Sequence, residues 1–164
     1  MQYKFKTKPY KHQLEALEKS WRKKEYAYFM EMGTGKSKVL IDNIAMLYDK
    51  GVINSAIIVA PKGVYRNWLE KEIPTHMPDH IEYKTAIWNP APNKKQKKDL
   101  VELFESCYEL KILIINVEAF STKKGVAYVS RFILGNLCMM AVDESTTIKN
   151  PKAQRTKNLI KLSI

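Results

Sequence analysis

The sequence predicts an α/β protein: a parallel sheet with helices on both faces, three layers in all. Three observations predict it. Short apolar runs rich in β-branched residues alternate with amphipathic stretches at helical spacing, the pattern of successive strand–helix–strand units. A glycine-bearing turn, Gly33-Thr34-Gly35-Lys36-Ser37, lies between one such run and one such helix. Another apolar run, residues 137–142, ends in Asp143-Glu144. With 164 residues, 45% of them hydrophobic, the chain has the size of one domain and ample material for its core.

Residues 1–9 are basic and end in Pro9, which favours an extended lead-in. Residues 10–24 carry Leu14, Leu17 and Trp21 at helical spacing, a first helix. The run Tyr26-Ala27-Tyr28-Phe29-Met30 is long enough for one buried strand. After the glycine turn, Val39, Leu40, Ile41, Ile44, Ala45, Leu47 and Tyr48 form the apolar face of a second helix, closed by Lys50-Gly51. Residues 55–61 then read as a strand buried on both faces. A short helix over 64–72 turns Val64, Trp68 and Leu69 inward and stops at Pro74 and Pro78, leaving His76 and His80 in a loop.

Residues 82–88 form another short strand, followed by the loop Asn89-Pro90-Ala91-Pro92-Asn93. A helix over 94–108 presents Leu100, Leu103, Phe104 and Cys107 on one face. It opens on Lys94-Lys95-Gln96-Lys97-Lys98, cations that oppose the helix dipole. That run reads as a solvated face, with DNA phosphate contact as the alternative. Residues 111–116 are a buried strand, 118–135 a helix interrupted early by Gly125, and 137–142 one more buried strand. A last amphipathic helix covers 153–162.

A strand, a glycine turn and a helix opening on Lys-Ser are the setting of a phosphate-binding loop. Gly33 and Gly35 free the backbone for angles that a side chain forbids, and the helix N-terminus offers unpaired amides to an anion. Lys36 would reach the β and γ phosphates of ATP, and the Ser37 hydroxyl would join a Mg²⁺ shell. Met30 stands where the full G-x-x-x-x-G-K-[ST] pattern has its first glycine, so the loop alone is a partial match. Ligands of open parallel sheets bind beyond the carboxyl ends of the strands, which is where Asp143 and Glu144 fall. Asp143 is assigned to the metal and Glu144 to the attacking water. Gln13 carries a donor and an acceptor suited to adenine, and Tyr10 a ring to stack on the base; without that context Gln13 reads as an exposed helix position.

Lys and Arg number 28 against 17 Asp and Glu, a net charge of +11, which raises nucleic acid as a partner. No apolar run approaches the roughly 20 residues of a membrane span, and the first residues lack the apolar stretch of a signal peptide. A soluble cytoplasmic protein is therefore expected. Cys107 and Cys138 read as two buried free thiols, and the three histidines form no metal motif.

In this order the residues resemble a family: the first, RecA-like lobe of superfamily-two helicases, and within it the Swi/Snf-type DNA translocase ATPases. Pro9-Tyr10-Lys11-His12-Gln13 is similar to the family's adenine-reading glutamine motif. Glu31-Met32-Gly33-Thr34-Gly35-Lys36-Ser37 resembles its motif I, which also lacks the outer glycine. Ile57-Ile58-Val59-Ala60-Pro61 with Asn67-Trp68 resembles motif Ia, and residues 114–120 the surroundings of motif Ib. Asp143-Glu144-Ser145-Thr146 stands in the place of Asp-Glu-Ala-His, and Ile148-Lys149-Asn150 matches the tripeptide that follows.

The resemblance implies a P-loop NTPase lobe spanning 1–164, ATP with Mg²⁺, and duplex DNA facing Pro61, Lys62, Asn116 and Ser121. It places Glu118 in the same DNA-facing region, where its acidic charge reads as a structural brace rather than a phosphate contact. It also implies a second RecA-like lobe on a longer parent chain, since a Thr-Gly-Thr-Pro-like segment and an arginine finger are not found before Ile164. Two further readings stay open at this level. One is a stand-alone P-loop kinase or nucleotide hydrolase, with Arg66 and Arg131 as its only arginines between the two acidic motifs. The other is a non-catalytic DNA-binding regulatory fragment.

Overall fold

The computed structural model describes residues 3–31, 33–106, 108–144 and 148–163. Helix α1 (Lys11–Ser20) precedes the glycine loop and α2 (Lys36–Asp49) follows it. Strand β1 (Ser55–Val59) leads into an irregular helical stretch containing α3 (Tyr65–Asn67) and α4 (Ile73–His76). Then come β2 (Tyr83–Ile87), α5 (Lys94–Glu105), β3 (Leu110–Ile115), a 3₁₀ turn Val117–Ser121, α6 (Lys123–Leu134), β4 (Cys138–Val142) and α7 (Gln154–Ser163). Among the described residues, no helix is long and apolar enough to cross a membrane.

The four strands are parallel in the order β2-β3-β1-β4. Ile58 and Ile114 face one side with Ala56 and Ile112, against Leu40, Ile41 and Ile44 of α2 and against Trp68 and Ile73. Ile57, Val59, Leu113 and Ile115 face the other side, against Leu100 and Leu103 of α5, Val129 and Phe132 of α6 and Leu159 of α7. β1 is buried along its whole length and β3 nearly so, which is why both read as unbroken apolar runs. The predicted α/β architecture with helices on both faces is the one observed.

Four expectations are corrected. Residues 26–30 join no strand: Tyr28 is held by Ser20 (2.8 Å) and Asn43 (3.1 Å), while Phe29 is fully exposed. A strand needs a neighbour's ladder of hydrogen bonds, and an apolar run alone does not supply one. β4 is half-buried rather than buried, because only β1 pairs with it and its other edge is open among the described residues. Accordingly Cys138 is a half-buried free thiol, with burial pushing its pKa up to about 11; Cys107 lies outside the described residues.

The third correction concerns Pro74, which does not end its helix. A π-helical stretch, Trp68–Glu72, widens the turn ahead of it and the chain stays helical to His76. His76 is therefore on a helix, bonded to Thr7 at 2.8 Å. Finally, the helix expected over 118–135 is split into the 3₁₀ turn and α6 by the cap at Thr122, whose hydroxyl accepts from Gly125 N.

Candidate nucleotide and nucleic-acid site

α2 ends only a short turn before β1 begins, so it runs back along the sheet and opens at the carboxyl edge. There the backbone is left-handed at Gly33 (φ 78°) and Gly35 (φ 79°), which glycine adopts without steric cost. α5 and α6 are capped by the side chains of Asn93 and Thr122, whereas no side chain caps α2. Its first amides are thus left to a ligand or to water. Lys36 Nζ donates to the Met30 carbonyl (3.1 Å) and Thr34 Oγ1 to the Glu31 carbonyl (2.7 Å), so the loop is folded on itself. Ser37 is half-buried at the first turn of α2, and Met32 lies outside the described residues.

Gln13 is buried, not exposed. Its Oε1 accepts from Tyr10 N (2.9 Å) and its Nε2 donates to the Thr34 carbonyl (3.1 Å). A Cβ on Gly35 would lie 2.3 Å from that Nε2, so a side chain there would displace the glutamine. His12 approaches the same Thr34 carbonyl at 3.0 Å and stacks on the exposed Tyr10 ring, 5.8 Å between centroids. Tyr10, Gln13 and the glycine loop are therefore one cluster. The sequence reading quoted His12 within the glutamine motif but gave it no role; its position one residue before Gln13 was the available signal.

The second cluster follows from strand register. Val59 pairs with both Ile115 and Val142, so the chain leaves β1, β3 and β4 from one row. The next residues, Pro61-Lys62, Asn116 and Asp143, with Val117 and Glu118, line a cavity of about 250 Å³. Asp143 N continues the ladder to the Val59 carbonyl (2.8 Å), and Asp143 Oδ2 accepts from the Trp68 indole N–H (3.1 Å). Sequence reasoning turned Trp68 inward but did not connect it to the carboxylate. A buried indole N–H needs an acceptor, and that requirement was the available clue. Trp68 packs in the same apolar layer as α2, which joins the two clusters mechanically.

Glu144 is exposed and its backbone is left-handed at φ 55°. Ser145 and Thr146 lie outside the described residues. Ser121 is at the exposed end of the 3₁₀ turn and does not line the cavity with Pro61, Lys62 and Asn116. Glu118 pairs with Arg155 of α7, the bracing role expected of it, and Asn158 adds a bond to the Phe120 carbonyl (2.7 Å). The arginines a stand-alone kinase would need are placed otherwise. Arg66 pairs with Glu70 on an exposed helix face, and Arg131 lies over Phe104, 5.0 Å to the ring centroid.

An open parallel sheet with an uncapped helix behind a glycine loop, and an aspartate at a neighbouring strand tip, defines a P-loop-type nucleotide-binding lobe. The family model for the SNF2-related domain matches residues 13–164, and the chain belongs to that family. Among solved structures it is similar to the Sulfolobus solfataricus SWI2/SNF2 ATPase core in complex with dsDNA, with a TM-score of 0.65 and 16% identity. The match covers 96% of this chain and 30% of that one, so the chain spans under a third of its length. At that identity the likeness establishes the fold. No curated protein sequence matches the chain.

Proposed function

We propose that residues 1–164 form the ATP-binding first lobe of an ATP-driven DNA translocase or helicase of the Swi/Snf type. The observation that carries this reading is the uncapped N-terminus of α2 behind two left-handed glycines, tied by Gln13 to the Tyr10 backbone amide. Tyr10 stacks on the adenine and Gln13 reads its edge by exchanging partners. Gly33, Thr34, Gly35 and Lys36 hold the phosphates. Ser37 and Asp143 offer hard oxygen donors, the donor chemistry that Mg²⁺ takes; when bound, the ion would neutralise phosphate charge. Trp68 orients Asp143 through its indole bond, and Glu144 accepts the proton of the attacking water.

Pro61, Lys62, Asn116 and Ser121 face a duplex DNA backbone. The cavity there is smaller than the roughly 300–1,000 Å³ of an enclosing ligand site, in keeping with a surface that a second lobe completes. An arginine finger is worth roughly 10³–10⁵ in rate. With both arginines between the acidic motifs engaged elsewhere, the 164-residue chain alone hydrolyses ATP barely above background.

The test is binding of a labelled non-hydrolysable ATP analogue with Mg²⁺ to the wild type and to Lys36→Ala. The variant should bind at least about tenfold more weakly, the loss of one charge-assisted contact. Equal binding would remove the phosphate-loop assignment, and rapid DNA-stimulated turnover by the chain alone would remove the need for a second lobe.

A further inference from the structure

Lys94, Lys95, Lys97, Lys123 and Lys124 are all exposed, and they come from two helices that open side by side. β2 and β3 are neighbours in register, with Ile87 opposite Ile114, so the chain leaves both strands at the same edge. α5 then opens at Lys94 and α6 at Lys123. Lys124 Nζ donates to the Pro90 carbonyl at 2.8 Å, which fastens the start of α6 to the loop that precedes α5.

Nothing in either helix accounts for cations at these positions. Neither first turn holds an acidic residue, and lysines there oppose the dipole. The helix amides are served by Asn93 and Thr122, so an anion arriving here would meet ammonium groups rather than the backbone. Among the described residues Lys98 has a carboxylate neighbour, Glu102 at 3.7 Å, whereas Lys94, Lys95, Lys97 and Lys123 form no ion pair. From Asn116 in the cavity the chain runs through the turn Val117–Ser121 directly to Lys123. The basic ridge is thus joined to the groove by a single turn of chain.

We propose that this ridge is a second phosphate-contacting surface for the same duplex DNA that lies at Pro61, Lys62 and Asn116, extending the contact from the groove across the starts of α6 and α5. The inference rests on the translocase reading above. Several like charges along one edge match a polyanion of regular spacing, and a duplex carries a charge about every 1.7 Å of its axis.

The experiment measures binding of the chain to a duplex of mixed sequence by fluorescence anisotropy from low to moderate salt. Compared are the wild type, Lys94→Gln/Lys95→Gln/Lys97→Gln, Lys123→Gln/Lys124→Gln, Lys62→Ala, and a control of equal charge change, Lys19→Gln/Lys23→Gln/Lys24→Gln, near the far end of α1. All sites are exposed, and thermal melts verify that each variant folds. Each released phosphate contact contributes roughly 0.9 to the slope of log K against log salt, so the triple ridge variant should lower the slope by about 2–3 and the affinity by about tenfold or more. The control should leave the slope within about one. If ridge and control variants lose binding equally, or the ridge variants match the wild type while Lys62→Ala binds more weakly, the ridge is refuted and the lobe reading stands. If no variant and no wild type binds duplex in a salt-dependent way, both readings fall.

Discussion

At φ 55° the backbone of Glu144 occupies a region that costs a residue with a Cβ about 1–2 kcal/mol. A glycine would sit there freely, so the position holds a carboxylate against its local preference. Strain of this kind concentrates where a side chain is needed in one direction. We expect Glu144→Gly to leave stability unchanged or to raise it by up to about 1 kcal/mol. The same change within a helix, Glu102→Gly, should cost about 1 kcal/mol. Urea unfolding of the two variants compares them, and a large loss at position 144 would remove strain from the account.

The half-buried His76 titrates below its ordinary value of 6.5, first because of desolvation and then because Lys38 is near; Glu72 and Asp42 pull the other way. The unfolded chain therefore takes up a proton at mildly acidic pH that the folded chain refuses. Stability should rise with pH between about 5 and 7 and fall on acidification. His76→Gln should flatten that stretch of the profile, read from denaturant midpoints at fixed salt. An unchanged slope would place the titration elsewhere. Beside it, Lys38 and Asp42 form a buried ion pair at 2.7 Å, with the Tyr3 hydroxyl on the second carboxylate oxygen (2.9 Å). Burial pushes the Asp42 carboxyl above its usual range even so. Such groups were invisible in the sequence, since charged residues four apart on a helix are far more often solvated.

Among the elements, α6 carries a glycine where propensity alone would ask for alanine. A Cβ at Gly125 would lie 2.2 Å from the Ala119 carbonyl oxygen, a backbone atom that cannot swing aside. Helix propensity favours alanine over glycine by about 1 kcal/mol, yet Gly125→Ala should destabilise the chain by at least that amount. A thermal melt gives the sign directly, and a stabilised variant would mean that the 3₁₀ turn Val117–Ser121 yields easily. The same turn is held from its other side by Arg155 and Asn158 of α7, so the Asn116 region is clamped between two helices.

Element by element, legibility followed the source of each signal. β1 and β3 announce themselves because both faces are covered and, Ser55 and Lys111 apart, every residue is apolar. Residues 26–30 look the same on paper, but pairing is a property of a neighbour and the run holds no record of one. The π-helical stretch before Pro74 was equally hidden, for it resolves a conflict between a proline and the packing of Trp68 and Ile73 that only the assembled layer creates. Of the candidate site, Lys36, Ser37 and Asp143 were nominated from residue type and spacing, whereas Gln13 on its own read as an exposed helix position and needed the family resemblance. The indole bond of Trp68 and the contact of His12 needed three dimensions.

Across the whole molecule, the described structure separates its tasks by edge. The carboxyl edge of the sheet gathers the glycine loop, Asp143, the Lys62 groove and the lysine ridge, while the two faces are given to packing. A net charge of +11 over the whole chain favours association with any polyanion, which is why the ridge has to be judged by its salt slope against a charge-matched control.

The lead-in over residues 1–9 was read only as extended and basic, yet its residues 3–7 are clasped onto the finished fold. Tyr3 reaches Asp42, Lys6 reaches the Pro74 carbonyl (2.9 Å) and Asp79 (2.8 Å), and Thr7 reaches His76. Those partners are up to about seventy positions further along the chain. During synthesis at roughly 5–20 residues per second, several seconds pass between the appearance of Thr7 and that of the ring it binds. This stretch leaves the ribosome before its partners exist and is thus seated late, closing over α2 and α4 only after they have met.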